Sequence, residues 1–138
     1  MATKTVIPMR TSDITRRLQR ARSFIDEYYD LPLSLSDISR HACLSRYHFL
    51  RLFRDEFATT PHKYLTQRRI EKAKELLVAG RLSVTDVCFE VGFESLGSFS
   101  TLFRRQVGAP PVSYRERQKS LRQVPGCFLQ MFGLQPDS

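Results

Sequence analysis

Long apolar runs, paired cysteines and catalytic constellations are all missing from this sequence. No uninterrupted apolar stretch approaches the about 18 residues of a membrane-spanning helix, and residues 1–12 lack the apolar core of a signal peptide. The expectation is a chain that neither spans a membrane nor is exported, working in the cytoplasm in association with the nucleoid. Cys43, Cys88 and Cys127 are odd in number and far apart, with no CxxC or zinc-ligand spacing. That pattern suits a reducing compartment and gives no disulfide framework. His41, His48 and His62 have no paired acid or nucleophile, and no glycine loop is built to cradle phosphate. An enzyme is disfavoured, and no catalytic residue, metal ligand or cofactor is assigned. Acid is also scarce. Fourteen Asp+Glu stand against 22 Lys+Arg, a net charge of +8, and most of the basic residues are arginine, whose planar fork suits phosphate and guanine. A polyanionic partner is the first expectation.

What the sequence does have is internal repetition. The stretch SLSDISRHACLSRYHFLRLFRDEFATTPHKYL from Ser34 aligns with SVTDVCFEVGFESLGSFSTLFRRQVGAPPVSYR from Ser83. Ser34, Asp37 and Ile38 match Ser83, Asp86 and Val87 at one offset. After one extra residue in the second copy, Ser45, Phe49, Phe53, Pro61 and Tyr64 match Ser95, Phe99, Phe103, Pro111 and Tyr114. An ordered series of this length marks two copies of one supersecondary unit.

Each copy reads as two short helices around a tight turn. Ser34 with Asp37, and Ser83 with Asp86, have capping-box spacing; Cys43-Leu44 and Gly92-Phe93 are the turns; Ser45 and Ser95 are N-caps for the helices that follow. Phe49, Leu52, Phe53 and Phe57 share one helical face, as do Phe99, Leu102, Phe103 and Val107, and these faces form the core. The unit is a helix-turn-helix. Pro61 to Ala79 reads as one long helix, with Thr60 as N-cap and Gly80 as stop, long enough at about 28 Å to serve as a strut. A preceding helix from about Asp13 to Tyr29 presents Ile14, Leu18, Ala21, Ile25 and Tyr28 inward and leaves Arg16, Arg17, Arg20 and Arg22 as a solvated face. The expected organisation is all-α: a flexible N-terminus at 1–12, a first helix-turn-helix subdomain at 13–59, a linker helix at 60–80, a second subdomain at 81–118 and a tail at 119–138.

The second helix of each unit then has an outward face. In the first unit it carries Arg46, Tyr47, Leu50, Arg51 and Arg54, with Ser45 and His48 beside it as further DNA-binding candidates; in the second, Leu96, Gly97, Ser100, Thr101 and Arg104, with Ser95 and Ser98 beside it. Small residues along the second face suit close approach to base edges and thymine methyls in a major groove. Arg51 has the reach for guanine O6 and N7, and His48 sits beside the reading face, either supporting a contacting side chain or meeting a phosphate itself. Thr101 and Leu96 replace Arg51 and Arg46 in the second unit, so the second helix is expected to read shape and thymine methyls while Arg104 holds a phosphate.

These residues resemble the DNA-binding domain of the AraC/XylS family of bacterial transcription regulators, from about Asp13 to Arg117. The match rests on Ala42, Ser45, Phe49, Arg51, Phe53, Pro61, Tyr64, Arg69, Ala73 and Leu76, then VGFES, Phe99, Phe103, Gly108, Pro111, Tyr114 and Arg115. The resemblance implies about seven helices, two helix-turn-helix units on a linker helix, promoter binding and activation through RNA polymerase. It also implies base-facing roles for Tyr47, Leu50, Arg51, Leu96, Gly97 and Thr101. Two departures stand out: Ala58 occupies the place of Gly108, and Thr101 replaces a long polar residue.

The expected partners are double-stranded promoter DNA at a non-palindromic site, bound as a monomer, and RNA polymerase, with no membrane and no obligate small-molecule ligand. Most family members add a sensor or dimerisation domain that this length does not hold. The apolar tail VPGCFLQMFG, Val124 to Gly133, is read as packing on the body, with dimerisation or partner docking, and disorder, as the alternatives. Cys127 is taken as a buried thiol ahead of a redox switch. A metal- or ligand-responsive interaction protein using Cys43, Cys88 and the histidines is the rival reading. An RNA-binding module comes third, because the duplex RNA major groove does not admit a helix.

Overall fold

The computed structural model describes residues 10–122, and among these it is all-α. Seven helices follow one another: α1 (Thr11–Tyr28), α2 (Leu35–His41), α3 (Arg46–Phe57), α4 (Pro61–Ala79), α5 (Val84–Glu90), α6 (Leu96–Val107) and α7 (Pro111–Arg122). Helix α1 starts two residues before the expected Asp13, and α7 continues past residue 118. Thr11 and Ser12 are therefore helical, as are Lys119 to Arg122, rather than parts of a terminus and a tail. The apolar tail segment itself lies outside the described residues. No described helix is long and apolar enough to cross a membrane.

The chain divides into two compact units between Arg68 and Arg69, inside α4. In the first, Leu18, Ala21 and Ile25 of α1 pack with Ile38 and Ala42 of the α2 region, Phe49 and Phe53 of α3, and Leu65 of α4. Phe49 and Phe53 are wholly buried. Each such side chain contributes about 1.5–3 kcal/mol relative to exposure. Tyr64 closes the cluster, its ring edge-on to Phe53 at 6.1 Å while its hydroxyl donates to Asp26 Oδ1 at 2.6 Å. Arg68 Nε pairs with the same carboxylate at 3.2 Å. Burial first, then the bond to Asp26, pushes the Tyr64 hydroxyl up to about 12.

The second unit repeats this plan. Phe99 and Phe103 are fully buried, and Tyr114 of α7 meets Phe103 edge-on at 5.6 Å, as Tyr64 meets Phe53. The repetition also reaches further upstream than the sequence alignment did. Ile70, Ala73 and Leu77 of α4 are buried at the same spacing as Leu18, Ala21 and Ile25 of α1. Each helix-turn-helix is thus preceded by a helix with the same buried stripe, and the second half of α4 is the counterpart of α1. A difference appears near the close of the unit: Arg115, where the first unit has buried Leu65, donates from Nε to the Leu77 carbonyl at 3.1 Å and from Nη2 to the Leu82 carbonyl. The first bond satisfies a carbonyl in the last turn of α4, where orphan carbonyls favour a cation, and the second holds the connection that leads into α5.

One inward assignment on α1 changes. Tyr28 is 38% exposed, and Phe24 and Tyr29 instead pack against the core. The arginines of α1 are not a uniform solvated face. Arg22 stacks over the Phe57 ring at 4.7 Å, and Arg17 bonds to the turn after α2. Arginine stems and planar heads suit such packing, which hydropathy patterning treats as solvent exposure.

Candidate nucleic-acid interface

The two turns that launch α3 and α6 are built alike. After α2, the Cys43 amide donates to the Arg40 carbonyl and the Leu44 amide to the Ser39 carbonyl; after α5, Gly92 donates to Phe89 and Phe93 to Cys88, all at 3.0–3.1 Å. This is a Schellman ending, which needs a left-handed residue at its pivot. Cys43 supplies it at φ 57° and Gly92 at φ 100°. Ser45 and Ser95 then cap α3 and α6, their hydroxyl oxygens accepting from the amides of His48 at 3.3 Å and Ser98 at 3.1 Å. Those oxygens are engaged, but each hydroxyl hydrogen remains free to donate outward.

The supporting helices start with caps as well. Ser34 and Asp37 exchange both bonds of a capping box, which holds the Asp37 carboxyl below its ordinary range through its bond from the Ser34 amide. Ser83 accepts from the Asp86 amide, and this cap is one-sided: the reciprocal bond from the Ser83 amide to the Asp86 carboxylate, expected from the spacing, does not form among the contacts of α5.

On α3, Ser45, Arg46, Tyr47, His48, Arg51 and Arg54 are exposed, and Leu50 is half-buried. Tyr47 is 83% exposed, an unusual position for an aromatic ring unless something covers it. Among the described residues, none of Arg46, Arg51 and Arg54 is paired with an acid. On α6, Ser95, Leu96, Gly97, Ser98, Thr101 and Arg104 are exposed, and Ser100 is half-buried. A Cβ added at Gly97 would meet nothing within 4 Å, so packing inside the chain does not require glycine there. Helix propensity favours almost any other residue at that position.

The end of α3 settles one departure. Ala58 takes the left-handed conformation at φ 57° and its amide donates to the Arg54 carbonyl at 2.9 Å; Gly108 does the same at φ 92°, bonding Arg104 at 2.8 Å. The first unit therefore uses the same left-handed cap without a glycine.

Arg17 is the supporting residue that sequence reasoning missed. Its guanidinium reaches from α1 to the carbonyl of Cys43 at 3.0 Å. The signal was present in the buried stripes, since Arg17 precedes Leu18 as Arg69 precedes Ile70. The connection between α1 and α2 is longer than that between α4 and α5, which shifts the register and hides the match. Among the described residues, no group of three His, Cys, Asp or Glu side chains is arranged to hold a metal ion.

Comparison with known proteins agrees with this geometry. The family pattern described as "Helix-turn-helix domain" matches residues 38–117. The probable transcriptional regulator LumQ of Photobacterium leiognathi is 31% identical over 93 residues, covering 67% of this chain and 38% of LumQ. The virulence regulon transcriptional activator VirF of Yersinia enterocolitica is 31% identical over 97 residues, covering 70% of this chain and 36% of VirF. The chain thus spans well under half the length of these relatives. The crystal structure of the DNA-binding domain of AdpA in complex with a target DNA superposes with a TM-score of 0.75 at 28% identity, covering 79% of this chain and 98% of that domain. A matching family pattern over most of both helix-turn-helix units, relatives that are transcription regulators and a shared seven-helix architecture have one reading: this chain belongs to the AraC/XylS family of DNA-binding transcription regulators.

Proposed function

We propose that the chain recognises a non-palindromic promoter site as a monomer, with α3 and α6 entering successive major-groove segments of one duplex. The observation that carries this reading is the outward face of α3, where Arg46, Tyr47, Arg51 and Arg54 are exposed without acidic partners. A guanidinium left unpaired on a structured helix suits bidentate contact with guanine or phosphate. In this reading Arg51 reads a guanine, Arg46 and Tyr47 reach bases or phosphate near the helix start, and His48 and Arg54 contact backbone. The α6 face reads shape and thymine methyls through Leu96 and Thr101, with Gly97 permitting close approach and Arg104 holding a phosphate. The serines Ser95, Ser98 and Ser100 keep that face narrow.

The structure of AdpA with its target DNA supports duplex DNA as the partner, and the likeness to the transcriptional activator VirF supports activation. Contact with RNA polymerase would complete that role. Selection of bound duplexes from a random pool with the purified chain tests the whole reading. The expected product is a site with two unlike half-sites about one helical turn apart, the α3 half carrying the stronger base preference. A palindromic product, or no sequence preference, would reject it.

A further inference from the structure

Arg17 lies off the reading face, yet it is bonded to the turn that aims the reading helix. Its Nη1 donates to the carbonyl of Cys43 at 3.0 Å. Cys43 is the left-handed pivot of the turn, and Ser45, two residues on, caps α3. The second unit also sets an arginine against its turn, there through a ring contact. Arg69 precedes buried Ile70 as Arg17 precedes buried Leu18, and its guanidinium lies 5.9 Å from the ring centroid of Phe93, the residue after the pivot Gly92. A donor at this point also complements the negative C-terminal end of the supporting helix.

We propose that Arg17, with Arg69 as its counterpart, is a positioning residue that fixes the angle at which the reading helix leaves its turn, so that base discrimination depends on it without base contact. This rests on the reading of α3 as the base-reading helix. Geometry shows why the angle matters. Arg51 stands six residues beyond the Ser45 cap, about 9 Å along the axis, so a tilt of about 10° at the turn displaces it by roughly 1.6 Å. Hydrogen bonds to base edges tolerate only about 0.5 Å. Flexible side chains on phosphates absorb the same tilt, so non-specific binding survives it.

The test uses the full chain, its selected duplex and a scrambled duplex. Arg17→Met keeps the apolar stem and removes the donor, and Arg17→Lys keeps charge and a donor. The expected result is about a tenfold fall in the specific-to-scrambled affinity ratio for Arg17→Met, an unchanged salt slope on the scrambled duplex, and recovery of most of the ratio in Arg17→Lys. Cooperative melting is checked first. Should Arg17→Met fail to fold, Arg17→Gln is read by the same criteria. An unchanged ratio, or equal weakening on both duplexes with the salt slope reduced by about one, overturns the proposal and makes Arg17 a bystander or a phosphate contact. A wild-type chain with no preference for the selected duplex removes the reading of α3 itself, and a loss of preference in Arg51→Ala confirms that this control is working.

Discussion

Ala58 and Gly108 end α3 and α6 in the same left-handed conformation, at φ 57° and 92°, each amide bonded to the carbonyl of the arginine four residues earlier. The shape is therefore required by the fold, and only one of the two residues adopts it without strain. A Cβ in this region costs about 1–2 kcal/mol, partly offset by the extra backbone freedom that glycine has in the unfolded chain. Ala58→Gly is expected to stabilise the chain by up to about 1 kcal/mol, seen as a rise of a few degrees in melting temperature. Gly108→Ala is expected to lower it by a similar amount. Calorimetry on the two variants checks the pair.

Gly97 separates what the fold needs from what binding needs. The space around it is open and the position is helical, so Gly97→Ala should leave the melting temperature unchanged or raise it, with a gain of up to about 1 kcal/mol. In the proposed groove the added methyl stands where DNA approaches. Affinity for the selected duplex should fall by roughly 1 kcal/mol, a factor of about five. A variant that is more stable and binds equally well would show that this face does not meet DNA closely.

Arg51 and Arg104 should fail in different ways. Arg51→Ala is expected to weaken specific binding by about 1–3 kcal/mol and to relax one base position. Arg104→Ala should weaken all duplexes alike and lower the salt slope by about one. Repeating the duplex selection and titrating salt with each variant distinguishes them.

The Tyr64 to Asp26 bond gives a pH signature. A hydroxyl held at about 12 in the folded chain, against 10.0 ordinarily, keeps its proton more tightly when folded than when unfolded. The stability this contributes is complete below pH 10 and is lost as pH rises toward 12. Tyr64→Phe should cost about 1 kcal/mol at neutral pH through the lost hydrogen bond and should flatten the decline between those pH values. Thermal melts at intervals from pH 8 to 12, compared with the wild-type chain, provide the measurement.

Much of this architecture was legible because its signals are local. The span Pro61 to Ala79 was found from a proline, a threonine cap and a glycine stop, and the buried faces of α3 and α6 from the spacing of their phenylalanines. The exposed faces of α3 and α6 followed as the complement of those stripes. What escaped was information carried by long-range contacts. The likeness of α1 to the second half of α4 was hidden by unequal connections, and Arg17 looked like any solvated arginine because its partner is a backbone carbonyl 26 residues away. Tyr28 was placed inside by periodicity alone, whereas Phe24 takes the adjoining space and stacks on His41 at 4.2 Å. The left-handed cap at Ala58 was missed for the opposite reason: propensity disfavours it, and the tertiary structure imposes it anyway.

Among the described residues both non-glycine left-handed positions, Cys43 and Ala58, flank α3, whereas glycines stand at both matching places around α6. Conformational tension is thus concentrated on either side of the arginine-rich helix. Amide protons of that helix should exchange with solvent through brief local opening more readily than those of its counterpart. Under the proposed reading, the helix that discriminates sequence is then also the more easily loosened, and duplex engagement quietens its fluctuations most.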